Sequence, residues 1–251
     1  MTPSDRSALA ALCLAVDAPS LDEARRWAEP LAEHVGVLKI GLELFTREGP
    51  AAVAWARGLG RDVFLDLKLH DIPATVDRAV AAAASLGVRF LTLHASGGTA
   101  MLERAARRAN ADAGAGAGNE GLRLLAVTVL TSLDDRDLAA VGVSRGAGEH
   151  ALALARLAHA AGVTGFVCSG AEVGELRRAL PDAFFVTPGV RPAGPLAASD
   201  DQRRVVSAEQ AVAAGSDLVV VGRPLRDAAD PAAAARALRA EITAGQARRA
   251  R

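Results

Sequence analysis

The 251-residue chain has no tyrosine, two tryptophans, two cysteines and, among 29 basic residues, only two lysines. Its 29 acidic residues cancel the basic ones, so it lacks the overall field that steers a protein onto nucleic acid. Long apolar runs are missing too. The longest, Ala8 to Val16, has nine residues before Asp17 ends it, too short to span a bilayer. The opening Met1-Thr-Pro-Ser-Asp-Arg6 lacks the charged-then-apolar layout of a signal peptide. Cys13 and Cys168 each sit within an apolar run, which reads as two buried thiols in a reducing compartment and argues against a disulfide or metal pair. An apolar share of 51% against 23% charged excludes a disordered chain. The expectation is a soluble, cytoplasmic α/β protein with no nucleic-acid or membrane partner. Its length suits a single-domain barrel.

The scarcity of lysine is itself informative. Arginine supplies generic positive charge throughout this Ala-rich chain, so Lys39 and Lys68 mark places where arginine cannot serve. Arginine stays charged, whereas lysine is a compact ammonium that can give up a proton.

Eight short aliphatic runs alternate with Ala-rich amphipathic segments: Leu12–Val16, Gly36–Ile40, Val63–Leu67, Phe90–His94, Leu124–Leu130, Gly165–Cys168, Phe184–Thr187 and Leu218–Val221. Their ends recur about every 29 residues, the length of a strand–helix unit. Near-continuous apolar strands imply a sheet covered on both faces. Ser20-Leu-Asp-Glu23 reads as a capping box opening the first helix. Pro73 opens a helix through Leu86 that Gly87 ends, and Pro231 opens the last one, with a frayed tail over Arg248–Arg251. Residues 113–119 read as a flexible loop, and 191–203 as a long loop of the kind used as a lid. Together these predict a (β/α)8 TIM barrel, one domain over residues 1–251, with its site at the strand C-termini.

Polar residues that end apolar strands of such a barrel point into its mouth. The first run ends at Asp17, the second holds Lys39, and the third runs into Asp66-Leu-Lys68-Leu-His-Asp71. Asp66 and Lys68, two apart, share a strand face, and Lys39 approaches from the neighbouring strand. Four alternating charges are thus predicted in the order Lys39, Asp66, Lys68, Asp71. Carboxylates on both sides favour the charged form of Lys68. An ammonium held there can stabilise a developing carbanion and then protonate it. That suits decarboxylation, or another reaction through a carbanion, without a cofactor. The alternative is a structural salt-bridge cluster. Gly222 and Arg223 follow the eighth run, where this barrel often binds phosphate, and Arg191 and Gln202 can reach the same place. Here the alternative is a turn glycine beside a solvated arginine.

The stretch Asp66-x-Lys68-x-x-Asp71-Ile72-Pro73-x-Thr75 resembles the orotidine 5′-phosphate decarboxylase family. Leu93-His-Ala-Ser-Gly-Gly98, Val129-Leu-Thr-Ser132 and Thr187-Pro-Gly-Val-Arg-Pro192 resemble further segments of that family, in order, and the likeness runs from Asp17 to Arg223. The resemblance implies decarboxylation of orotidine 5′-monophosphate to UMP, without metal or organic cofactor. Lys68 would protonate C6, Asp66 would face the scissile carboxylate, and Lys39 would hold the array and a ribose hydroxyl. Asp17 would bind ribose, while Thr131 and Ser132 would contact the pyrimidine. Arg191, Gln202, Gly222 and Arg223 would clamp the 5′-phosphate, with residues 191–203 closing as a lid, and Pro188 would line the substrate site. Asp71, Ile72 and Thr75 would reach the partner's site in a homodimer. Two other readings compete. One is a Mg²⁺-dependent sugar-phosphate decarboxylase or aldolase of the same superfamily. The other is a non-catalytic barrel that senses a phosphorylated metabolite.

Overall fold

A computed structural model describes residues 2–112, 121–191 and 206–250. Eight parallel strands close into a barrel in sequence order: β1 (Leu12–Val16), β2 (Val37–Ile40), β3 (Asp62–Leu69), β4 (Phe90–His94), β5 (Arg123–Val127), β6 (Gly165–Val167), β7 (Phe184–Thr187) and β8 (Leu218–Val221). The pairing of Leu12 with Val219 and of Leu14 with Val221 joins β1 to β8. Helices follow every strand, so the predicted (β/α)8 barrel is the observed fold. The predicted loop 113–119 and, past Arg191, the predicted lid with Gln202 lie outside the described residues.

The strand bounds differ instructively from the apolar runs. The fifth run was expected to continue to Leu130, but β5 stops at Val127. There Thr128 turns both its N–H and its hydroxyl to the Val167 carbonyl of β6. Val129 and Leu130 are apolar because they wall a cavity, not because they pair. The third run was expected to end at Leu67, yet β3 extends to Leu69. Its pairing with β4 is interrupted on the way: Leu65 faces Leu91 and Leu69 faces Leu93. Four steps on β3 therefore match two on β4, a bulge that re-aims the side chains within it.

Helix starts follow local chemistry. Ser20 caps the helix Leu21–Ala28 by accepting from the Glu23 N–H. The reciprocal half of the predicted capping box is absent, and Glu48 instead accepts from the next donor, the Leu21 N–H. Pro73 opens the helix Pro73–Ser85, and Gly87, at φ 69°, takes the left-handed turn after it. One helix went unpredicted, Pro3–Ala10, capped by a reciprocal Thr2–Asp5 box. The Ala8–Val16 run is shared between this helix and β1, so neither period was visible in it. The C-terminal tail corrects another expectation. The last helix runs unbroken from Pro231 to Arg249. It is tied down by Arg248 on Glu209 and Arg249 on Asp217, each at 2.9 Å.

Inside the barrel, every second residue of the strands meets its neighbours. Cys13, Ala15, Val37, Phe64, Phe90, Leu125, Val186, Leu218 and Val220 form one buried cluster. Its floor is aromatic: the Phe90 ring stacks on Phe184 at 5.5 Å and meets Phe64 edge-on at 6.1 Å. Alternate residues, such as Leu14, Leu38, Leu65 and Leu91, pack outward against the helices. Burying each such leucine stabilises the fold by about 1.5–3 kcal/mol. One step up from the floor, the interior turns polar at Lys39, Asp66 and Thr92, all buried. That polar layer is the base of the site.

Candidate active site

Lys39 is the third residue of β2, and its ammonium lies 3.2 Å from Asp17 Oδ1 and 3.5 Å from Asp66 Oδ2. Asp17 stands one residue beyond β1, with a side chain 59% exposed in the mouth. The other oxygen of Asp66, Oδ1, receives the Lys68 ammonium at 2.9 Å and the Thr92 hydroxyl at 2.8 Å. The observed alternation is therefore Asp17, Lys39, Asp66, Lys68. Asp71, the fourth predicted member, does not join this array within its own chain. Within the chain Asp71 is exposed and bonds its own neighbour, the Ile72 N–H, at 2.6 Å. Residue spacing put Asp71 near the array, but β3 ends at Leu69 and the chain turns away before Asp71 is reached.

The charges support one another. Burial alone would favour a neutral Asp66. The Lys39 and Lys68 charges, with hydrogen bonds from Lys68 and Thr92, outweigh it and hold the carboxyl below its ordinary range. Burial likewise opposes the Lys39 ammonium, yet Asp17 and Asp66 more than offset it and keep that group above its ordinary range. Lys68 is the one described non-glycine residue with positive φ, at 50°. A left-handed lysine costs roughly 1–2 kcal/mol. Strain of this kind persists where surrounding contacts over-determine it, and it concentrates at functional sites.

A cavity of about 480 Å³ opens above this layer, a size suited to a small polar metabolite. Asp17, Lys39, Asp66 and Lys68 line it on the β1–β3 side, and Pro188, Arg191, Gly222 and Arg223 line it after β7 and β8. Thr131 lines it as well. Gly222 caps the short helix Arg223–Arg226. A Cβ there would lie 3.4 Å from Ala15 Cβ and 3.9 Å from Asp17 Oδ2, both ordinary contact distances. At Arg191 the backbone N–H bonds Val206 O at 3.0 Å, next to the Val190–Val206 bridge. Arg191 and Val206 are thereby held together at the rim.

Not every predicted residue arrives there. Ser132 is exposed and is absent from the cavity wall, as are Ile72 and Thr75. Ile72 is 66% exposed, unusual for so large an apolar side chain. Sequence reasoning missed three wall or base residues. Arg226 lines the cavity one turn after Arg223 and carries a forked pair to Asp227 at 2.7 and 3.2 Å. Its i+3 spacing from Arg223 was the available signal. Cys168, a free thiol like Cys13, forms part of the wall, and burial pushes both thiols up into the inert range. Thr92, a lone hydroxyl within an apolar strand, was the third. His94 ends β4 with its ring 5.4 Å from that of His70. Burial, then His70 and Lys68, hold His94 below its ordinary range, in keeping with a structural histidine. No described helix is long and apolar enough to cross a membrane.

The model of the family described as orotidine 5′-phosphate decarboxylase / HUMPS matches residues 10–238. The orotidine 5′-phosphate decarboxylase of Anaeromyxobacter sp. (strain K) is 53% identical over 243 residues, covering 96% of this chain and 100% of its own length. The enzyme of that name from Thermobifida fusca (strain YX) is 49% identical, covering 93% of this chain and 96% of its own. Among solved structures, orotidine 5′-phosphate decarboxylase from Lactobacillus acidophilus superposes with a TM-score of 0.80 at 35% identity. That match covers 92% of this chain and 98% of the other.

Proposed function

The chain belongs to the orotidine 5′-phosphate decarboxylase / HUMPS family, and from that premise we propose the division of labour by which it converts orotidine 5′-monophosphate to UMP and CO2 in pyrimidine biosynthesis. The observation that carries the proposal is Lys68 Nζ at 2.9 Å from Asp66 Oδ1, in a cavity that Arg223 also lines. Asp66 faces the substrate carboxylate. As the C6–carboxylate bond breaks, CO2 departs and its electron pair stays on C6. Lys68 stabilises that charge, transfers a proton to C6 and is reprotonated from solvent. One ammonium at ~4 Å from a full carbanion, at an effective dielectric near 20, contributes about 4 kcal/mol. Lys39 keeps Asp66 ionised and reaches a ribose hydroxyl with Asp17. Thr131 touches the pyrimidine.

Arg191, Gly222 and Arg223, with Pro188 and Gln202, take the 5′-phosphate. Guanidinium forks suit phosphate oxygens, and the loops after the seventh and eighth strands are the customary phosphate site of this barrel. Binding energy gathered there, far from C6, offsets the cost of organising the charged array. Exposed Asp71 and Ile72 support a homodimer in which these residues and Thr75 complete the partner's site. Two buried free thiols support a reducing, cytoplasmic setting.

The decisive assay follows the ultraviolet absorbance of orotidine 5′-monophosphate with purified protein, with and without EDTA. Conversion to UMP that ignores EDTA is the expected result. Conversion abolished by EDTA, or its absence with a folded protein, overturns this account and directs attention to sugar phosphates with Mg²⁺.

A further inference from the structure

Resting on the roles given above to Asp66 and Lys68, we propose that the Thr92 hydroxyl is a positioning residue that sets both of them at once. Thr92 sits in the middle of β4 and is 1% exposed. A hydroxyl buried there is costly unless it is bonded. It accepts from the Lys68 backbone N–H at 2.9 Å and donates to Asp66 Oδ1 at 2.8 Å. The oxygen that Thr92 grips also receives the Lys68 ammonium. Two donors, the Lys68 ammonium and the Thr92 hydroxyl, thus share one carboxylate oxygen.

The bulge explains why a side chain is needed. With Leu65 paired to Leu91 and Leu69 to Leu93, Thr92 alone stands against residues 66 to 68 of β3. Regular ladder bonding is broken across this interval, and the Lys68 N–H finds its acceptor in the Thr92 side chain. That bond holds Lys68 in its left-handed conformation, φ 50°. The same hydroxyl fixes the rotation of the Asp66 carboxylate, so that one oxygen faces Lys68 and the other faces Lys39. Without it, the carboxylate can turn and the Lys68 backbone can relax, and both reacting groups lose their aim.

The test compares Thr92→Val, which keeps the shape and removes the hydroxyl, with Thr92→Ser, which keeps the hydroxyl. For each, kcat for orotidine 5′-monophosphate, UMP affinity and folded fraction are measured on the full chain. Thr92→Val is expected to lower kcat about 10- to 100-fold, the scale of small misplacements of a catalytic group. UMP affinity should shift by less than about threefold, because only a transition-state contact is disturbed. Thr92→Ser should recover most of kcat. Wild-type kcat in Thr92→Val, or kcat and UMP affinity falling in step, overturns the role. Should Thr92→Val not fold, Thr92→Ala is read against Thr92→Ser by the same criteria. Lys68→Ala is run alongside. Turnover retained there refutes the role of Lys68 itself. Turnover lost there but intact in Thr92→Val refutes Thr92 alone.

Discussion

The Lys68 ammonium meets Asp66 Oδ1 at 2.9 Å from a backbone held at φ 50°. Ion pairs at a strand end do not require a left-handed lysine. Two residues apart on a regular strand, the two side chains would point the same way but stand side by side. The bulge folds the later residue back onto the earlier one. Geometry useful for chemistry is thereby obtained at a cost in backbone strain.

That separation of strain from chemistry is testable. Lys68→Ala should fold, bind UMP and lose nearly all turnover. Lys68→Gly should lose turnover equally, because it also lacks the ammonium. Glycine accepts φ 50° freely, which recovers roughly 1–2 kcal/mol. Both variants strip the same partner from buried Asp66, so their difference isolates the backbone. Thermal melting should therefore show Lys68→Gly more stable than Lys68→Ala. Equal midpoints for the two variants would mean that the left-handed backbone stores no strain.

Arg223→Ala addresses the other arm of the cavity. Weaker binding of UMP, with uridine unaffected, is the expected pattern. Truncating one partner of a charge-assisted pair costs about 2–5 kcal/mol when the pair is buried and less at an open rim. A loss of roughly 10- to 100-fold in UMP affinity is therefore expected. Some kcat should go as well, since remote phosphate binding helps organise the reacting end. Equal weakening of uridine and UMP would remove Arg223 from the phosphate site.

How far the sequence carries the site depends on what kind of information each residue leaves behind. Apolar runs made the barrel legible, because each buried strand needs several consecutive aliphatic residues. Lys39, Asp66 and Lys68 were legible for the opposite reason: charge interrupts those runs only where something offsets its burial. Asp17 was visible as a strand-ending charge, yet its pairing with Lys39 was not; the 3.2 Å distance between them supplies it. The bulge that seats Thr92 against Lys68 left no periodic signal, since pairing across strands is not written in either strand alone. For the tail, Arg248 and Arg249 looked like solvated charge until their distant partners Glu209 and Asp217 were known.

His94 yields a prediction in pH. Burial, with His70 and Lys68 nearby and Asp66 opposing them, places its imidazole below the ordinary 6.5. The unfolded chain then binds the proton more readily than the folded one. The stabilising contribution is complete above about pH 6.5 and is lost as pH falls through the folded-state value. Asp66, itself below the ordinary 3.8, keeps its contribution until pH drops to that range. Between about pH 7.5 and 5.5 the wild-type melting midpoint should fall more than that of His94→Gln. Parallel curves would show that His94 takes up its proton as easily folded as unfolded.

The shared site is tested by mixing inactive subunits. Asp71 is exposed within its own chain, where it accepts from the adjoining Ile72 N–H, and Ile72 is 66% exposed. Should a second copy cover this corner, Asp71→Ala would damage the partner's site, while Lys68→Ala damages its own. A mixed dimer would then hold one site with both defects and one with neither. Random exchange makes half of the dimers mixed, and each carries one of two sites intact, so about a quarter of wild-type activity should return. Subunit exchange is verified separately, with two tags recovered in one complex. Exchange without recovered activity would assign Asp71 to its own chain. The proton donor and its outer carboxylate would then have to meet by a movement of residues 69–72 that the present geometry does not contain.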